Sequence, residues 1–390
     1  MKKLLLLLLP FLMVINNACD PTVRAENTNE ENNPDPVVET PVSEDNLDRL
    51  NLPDGFKIEI WAEDVENARS MVMSPSGTLF VGSRDKGDVY ALKDTDGDNK
   101  ADKKYVLATG LRMPNGVAFR NGSLFVAEVS KLWRFDNIEA NLDNPPKPRL
   151  IFDDYPTDRS HGWKYIAFGP DGKLYIPVGA PCNICESEDE IYASITRMNP
   201  DGSGREIYAK GVRNTVGFTW HPETGEMWFT DNGRDHLGDN APQCELNRAT
   251  EKGQHFGYPY CHAGDIGDPE FGGKFGCEKF IKPARKLGPH VAPLGLKFYN
   301  GNMFPADYKG KIFIAEHGSW NRTKKIGYRI MMVTEEKGKG VSYVPFIDGW
   351  LNKSQNDAWG RPVDVLVLED GSMLISDDYA NQIYRVSYEG

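Results

Sequence analysis

One histidine, several arginines and a few side-chain amides recur at matching places beside apolar β-runs of this chain. His161 precedes the run KYIAFGP, and Arg213-Asn214, Arg361-Pro362, Pro114-Asn115 and Arg69-Ser70 stand at the equivalent place before four other runs. A second polar set follows the next run of each repeat. It includes Asn232-Gly233-Arg234-Asp235, the segment HGSWNR from His317 to Arg322, and Asp377-Asp378. A neutral imidazole accepts a proton near neutral pH. A fixed guanidinium stabilises negative charge that develops on a reacting oxygen. If the two sets converge, they form a concave polar ligand site with its own base.

The elements that must bring them together form a repeat. An apolar β-run, a glycine turn and a second β-run recur six times, as GTLFVG, GSLFVAE, GKLYIPVG, GEMWFTD, GKIFIAE and GSMLISD from Gly77, Gly122, Gly172, Gly225, Gly310 and Gly371. Most copies lie roughly 45–60 residues apart, the spacing of four-stranded propeller blades. Further runs such as DVYALKD and KKYVLATGL supply the third and fourth strands. The sixth repeat stops after NQIYRVSY, one strand short. The alternating run FKIEIW from Phe56 has no place of its own, and pairing it beside Ile383–Val386 would remove the open edges. The fold expected is therefore all-β, a six-bladed β-propeller over residues 47–390 whose last blade is closed by an N-terminal strand. Lead-ins of the inner strands and turns after the second strands share one end of such a ring. The other end carries turn residues such as Pro170-Asp171-Gly172.

The fourth repeat is long. Residues 250–292 carry Cys261, Cys277 and many Gly and Pro, and read as an inserted lid or binding loop. His221, in the turn HPETG, reads as structural, whereas His236, His255 and His262 lie in loops without a partner pattern.

Ahead of the propeller, Lys2 and Lys3 precede an apolar stretch too short to span a bilayer, followed by Ala18-Cys19. Residues 1–18 read as an export signal of lipoprotein type, with Cys19 the lipid-bearing residue and the envelope the destination. Residues 19–46 hold eight acidic residues against Arg24, a net −7 of the chain's −12, and read as a disordered tether. With no basic stripe on the remainder, nucleic acid is not an expected partner.

The stretches SHGWKYIAFGPDGKLYIPVG, GVRNTVGFTWHPETGEMWFTDNGRDHLGDNAPQCELN and HGSWNR…GYRI together resemble the bacterial glucose/sorbosone dehydrogenase family, in particular its sorbosone-type branch. The resemblance runs from about residue 50 to the C-terminus. It implies pyrroloquinoline quinone (PQQ) and Ca²⁺ at one end of a six-bladed propeller, a sugar substrate oxidised there, and a separate electron acceptor. By motif, His161 corresponds to the catalytic base, and Arg213 and Asn214 to the pair that contacts the quinone carbonyls. Gly233 and Arg234 fall where two backbone carbonyls hold Ca²⁺, and Arg361 matches one of two arginines that pair with PQQ carboxylates. The family's second such arginine is Val363 here. Its lysine after the second strand of blade five falls within HGSWNR, where Arg322 could supply the charge beside His317 and Asn321. A cofactor-binding Gln aligns with Pro114, leaving Asn115 as the substitute.

Two further patterns carry metal or redox chemistry. Asp94, Asp96, Asp98 and Asp102 occupy the first, third, fifth and ninth places of a Ca²⁺ loop, but the twelfth is Tyr105 and a polar hairpin explains the segment equally well. Cys182 and Cys185 form C-x-x-C followed by Glu186 rather than His, which points to a local disulfide. Cys261–Cys277 is a second candidate pair, leaving Cys244 free. A Ca²⁺-dependent lactonase and a non-catalytic glycan- or protein-binding propeller are the competing functions. The first calls for carboxylates around a central metal, whereas His, Arg and Asn dominate the end described above.

Overall fold

Alternation of apolar and polar residues builds six antiparallel sheets of four strands. The computed structural model describes residues 44–390; the leader and most of the acidic segment lie outside them. Glu44–Leu47 form a helical turn at the start of the described residues.

Blades I to VI begin with the inner strands Ala68–Met73, Gly116–Arg120, Ala167–Phe168, Phe218–Trp220, Pro293–Phe298 and Pro362–Val367. Each is followed by a second strand, Leu79–Ser83, Ser123–Ala127, Leu174–Val178, Met227–Asp231, Ile312–Glu316 and Met373–Asp377, and every residue of these six is buried. They carry the core, packed against neighbouring blades as clusters such as Trp228, Leu246, Leu296 and Ile314.

Register decides where the polar residues go. In four blades the start of the inner strand pairs with the end of the second: Ala68 with Ser83, Gly116 with Ala127, Pro293 with Glu316 and Pro362 with Asp377; in blades III and IV the shorter inner strands pair antiparallel with the earlier part of the second. Lead-ins and second-strand ends therefore share one end of the ring, called the mouth below. Inner strands crowd at the axis. A Cβ on Gly217 would lie 2.2 Å from the Leu294 carbonyl oxygen of the next blade, so only glycine fits there.

Blade VI closes as expected. Phe56–Ala62 pairs antiparallel with Gln382–Tyr388, from Phe56 opposite Tyr388 to Ala62 opposite Ile383. Phe56 anchors this seam, its ring 4.8–5.0 Å from those of Phe304, Tyr308, Phe346 and Tyr388. In blade IV the fourth strand is Arg285–Pro289, so the insertion ends at residue 284 instead of 292.

Phe56→Ala removes the aromatic centre of the seam. A loss of about 2–4 kcal/mol is expected from the shift of the denaturant midpoint.

Candidate active site

The mouth is built from the chain's own hydrogen bonds, blade by blade. In blade III, His161 sits in the left-handed region (φ 49°), unusual for a residue with a side chain. Its Nδ1 lies 2.7 Å from the Ala180 carbonyl oxygen. Only Nδ1–H can make that bond, which leaves Nε2 as the basic nitrogen. Ala180 also donates its N–H to the Arg213 carbonyl oxygen (2.8 Å), so His161 and the Arg213-Asn214 lead-in of blade IV hang on one residue. Gly179 makes the turn possible, since a Cβ there would fall 2.4 Å from His161 Cβ.

Asp231, the last residue of a buried strand, sets the Arg213-Asn214 backbone. Its two carboxylate oxygens accept the N–H groups of Arg213 (2.9 Å) and Asn214 (2.7 Å). The guanidinium of Arg213 is nearly saturated. Nε donates to the Asn183 carbonyl oxygen (2.9 Å), Nη2 to Asn183 Oδ1 (2.9 Å) and Asp235 Oδ2 (3.2 Å), and Nη1 to the Asn232 carbonyl oxygen (3.3 Å). Asp235 also accepts Asn321 Nδ2 (2.5 Å), which joins the HGSWNR segment of blade V to blade IV.

A second cluster completes the ring. Arg361 donates to the carbonyl oxygens of His317 (3.1 Å) and Gly318 (3.4 Å). His317 Nε2 lies 2.7 Å from Asp378 Oδ1, and Arg69 Nη1 donates to Asp378 Oδ2 (2.9 Å). Burial, followed by the positive charge of Arg361, pushes the His317 imidazole down to about 4, so it is neutral at pH 7 and donates to an ionised Asp378. Burial opposes ionisation of Asp378, but the His317 hydrogen bond and the guanidiniums of Arg69 and Arg84 outweigh it and hold the carboxyl well below its usual range. Arg69 and Arg84 both lie 5.9 Å from the Trp163 ring, which brings blade III to blade I. Between the clusters Val216, Leu294 and Val363 pack with Trp163 as an apolar floor. Blades I, III, IV, V and VI thus contribute to one mouth.

The predicted residues take different places in it. His161, Arg213, Asn214, His317, Asn321 and Arg361 belong to the connected network. The amide of Asn115 is fully buried and bonds Arg69 Nε (2.8 Å) and Ser70 Oγ (3.2 Å), so it supports Arg69 and does not face the mouth. Arg322 donates to the carbonyl oxygens of Asp239 and Lys324, tying loops together. Gly233 and Arg234 follow Asn232 at the mouth, and the Arg234 side chain leaves it for Asp268 Oδ2 (2.5 Å). Asp94, Asp96 and Asp98 bring carboxylate oxygens within 4.8 Å of one another in the blade I hairpin, while Asp102 accepts the Thr95 N–H (2.8 Å) instead.

The insertion is a buttress and not a lid. It packs behind Arg213: Gln254 accepts from Lys210, Tyr258 donates its N–H to Gly211, and Ala263 donates to Glu245 Oε1 (2.6 Å). Its disulfide is Cys261–Cys277; the other is Cys182–Cys185, and Cys244 is free and buried. His221, as expected, caps its own turn, accepting from Glu223 and Thr224.

Sequence reasoning passed over Trp163, Asn183, Asp231 and His290. An acid ending an otherwise apolar strand was the available signal for Asp231. His290 bonds the carbonyl oxygens of Gly238 and Ala241 and approaches Asp235 at 3.8 Å, contacts set by loops distant in sequence.

Several polar atoms at this mouth have no partner within the protein. Asn214 Oδ1, Asn321 Oδ1 and Trp163 Nε1 are buried and unsatisfied. Native interiors rarely leave such groups unpaired, and a polar ligand would satisfy them.

Residues 50–389 match the TrAA12-like family model. The chain belongs to the TrAA12-like family. It is 36% identical to an uncharacterised protein of Borreliella burgdorferi, over 90% of this chain and 94% of that one. It is 20% identical to a pyrroloquinoline quinone-dependent pyranose dehydrogenase of Coprinopsis cinerea, covering 87% of this chain but 54% of that protein, so it spans about half the length of that relative. The solved PQQ domain of the Coprinopsis enzyme superposes with a TM-score of 0.75 at 18% identity, over 87% of this chain and 97% of the domain. A PQQ-bound aldose sugar dehydrogenase of Streptomyces coelicolor gives 0.63 at 18% identity, over 86% and 99%. These likenesses establish the propeller fold.

Two outcomes follow from the geometry. Gly179→Ala drives a methyl group into His161 and should lower the denaturant midpoint by the equivalent of about 1–3 kcal/mol. Glu245 and Asp231 face each other in register and are both buried. Burial, with their mutual repulsion acting on Glu245, raises both carboxyls above their ordinary range. A carboxyl that holds its proton more tightly when folded contributes most in acid, and that contribution is lost as pH rises through neutrality. Glu245→Gln should therefore lose less stability than the wild type between about pH 5 and about pH 9 in thermal melts.

Proposed function

We propose that this protein is a PQQ- and Ca²⁺-dependent sugar dehydrogenase that oxidises the C1 carbinol of an aldose, or the hydrated form of a sorbosone-like sugar aldehyde. The observation that carries the reading is the joint suspension of His161 and Arg213-Asn214 from Ala180 at a mouth whose buried amide atoms lack protein partners. Membership of the TrAA12-like family supports it, as does the name of the Coprinopsis relative.

The donor set fits such a cofactor. PQQ is a flat, polyanionic quinone, and the mouth offers the guanidiniums of Arg361, Arg69 and Arg84, the indole of Trp163, and the amides of Asn214 and Asn321. The backbone carbonyls of Gly233 and Arg234 are hard oxygen donors of the kind Ca²⁺ takes. When bound, the quinone supplies the acceptor for two electrons, and Ca²⁺ polarises it.

The chain's own residues do the rest. His161 takes the hydroxyl proton of the substrate at Nε2, and Ala180 holds the ring in the tautomer that can accept it. The imidazolium that results keeps its Nδ1–H bond to Ala180. Arg213 holds a fixed positive charge beside the developing negative charge, with little freedom to turn away because its other donors are engaged. Neutral His317 and ionised Asp378 fix Arg69.

The test is reconstitution of the full chain with PQQ and CaCl₂, followed by dye-linked turnover with a panel of aldoses. Reduction of the dye is expected in the wild type. His161→Ala should bind PQQ, seen by its absorbance change, and turn over about 10²–10⁴-fold more slowly. Unchanged turnover in that variant removes His161 from the mechanism. Lactone hydrolysis without dye reduction would replace the reading with a lactonase.

A further inference from the structure

The loop 181–187 between the second and third strands of blade III holds no helix or strand, yet it supplies the principal acceptors of Arg213. Asn183 offers both its backbone carbonyl and its side-chain oxygen to the guanidinium, each at 2.9 Å. The same Oδ1 accepts the N–H of Asp235 (2.8 Å), whose carboxylate also pairs with Arg213. One asparagine thus fixes the arginine and its counter-ion together.

Asn183 in turn is held by the covalent staple on either side of it. Cys182 and Cys185 are disulfide-bonded across a four-residue loop. The staple is docked on the insertion through Tyr258, whose hydroxyl accepts the Cys185 N–H (3.0 Å) and lies 3.5 Å from Cys182 Sγ. Closing so short a loop removes most alternative backbone conformations of Asn183. Both cysteines are half-buried, which leaves the bond open to a small thiol, whereas the Arg213 side chain is only 5% exposed. Without the two Asn183 acceptors, a buried guanidinium would keep N–H groups with no partner, and burial disfavours that state.

We propose that Asn183 is the positioning residue of Arg213 and that the Cys182–Cys185 disulfide is a redox-responsive clamp on it. An external dithiol gives two electrons and two protons to the bond, which becomes two thiols while the dithiol closes to its own disulfide. The freed loop lets Asn183 leave the guanidinium, and Arg213 loses its fixed direction. The consequence for cofactor binding rests on the dehydrogenase reading above. The clamp itself does not.

The experiment follows the Arg213 side-chain Nε–H and Nη2 protons by NMR in full-length, arginine-labelled protein, oxidised and after graded dithiothreitol, with alkylation and mass spectrometry reporting which cysteines open. Opening of Cys182–Cys185 should speed exchange of both groups about tenfold or more, and Asn183→Ala, which removes the Oδ1 acceptor and keeps the backbone carbonyl, should speed exchange of the Nη2 protons with the disulfide intact. Cys261→Ser/Cys277→Ser should leave it unchanged. Should a variant fail to fold, dithiothreitol titration of the folded wild type makes the same measurement. Exchange that does not respond to opening the bond overturns the clamp. In parallel, PQQ affinity in the presence of Ca²⁺ should fall about tenfold in Asn183→Ala, measured below the melting temperature of the variant. A wild type that binds no PQQ overturns the cofactor reading, while the exchange rates still decide the clamp.

Discussion

Three guanidiniums held in a nearly dry ring are the constraint on which this mouth depends. Arg69, Arg213 and Arg361 are each less than a tenth exposed. A buried charge is tolerated only where its donors are matched. Asp378 answers Arg69, Asp235 answers Arg213, and carbonyl oxygens of the HGSWNR segment answer Arg361. Nearly everything else at this end exists to place those acceptors. Asp231 aligns the backbone behind Arg213, neutral His317 keeps Asp378 in line, and Asn321 joins the two halves. The apolar floor explains the departure at position 363. Val363 packs against Val216 and Leu294, and the guanidiniums of Arg69 and Arg84 from blade I lie 5.9 Å from the Trp163 ring of the same cluster.

The insertion contributes in a way its composition concealed. Rich in Gly and Pro, it has the look of a mobile cover, yet its polar groups turn inward. Asp268 joins Arg234 to His262, Ala263 caps Glu245, and Tyr258 holds the C-x-x-C loop. Together these contacts form a wall behind Arg213. Loss of this wall would release several buried polar groups at once, which is why so irregular a segment can be so well fixed.

Much of the fold was legible because the signal is local and repeated. Alternation with a period of two, punctuated by glycine turns, specifies the blades, and the unpaired run at Phe56 identifies its partner by elimination. The fourth strand of blade IV was missed because RKLGP is short, weakly alternating and contains Gly and Pro. The lead-ins could be assigned to one end because the register of every blade puts them there. Sequence could not say which way a side chain turns on arrival. Asn115 and Arg322 reach the right end and bond to the scaffold, Asn115 to Arg69 and Ser70 of blade I and Arg322 to Asp239 of blade IV and Lys324 of its own loop. Asn183 and His290 were hidden for the same reason. Their partners are fixed by contacts between blades, and no spacing along the chain encodes them.

The seam in blade VI joins residues more than three hundred positions apart, Phe56 with Tyr388 at its outer end. Five blades can assemble from hairpins as the chain lengthens, but the sixth waits for its last strand. Until Gln382–Tyr388 is available, Phe56–Ala62 has no partner and the toroid stays open at one joint. Long-range pairing of this kind is slow to form. The mouth draws on the last blade as well as the first, so its geometry is among the last features of the molecule to appear. A nascent chain would therefore have no complete mouth, however finished its early blades.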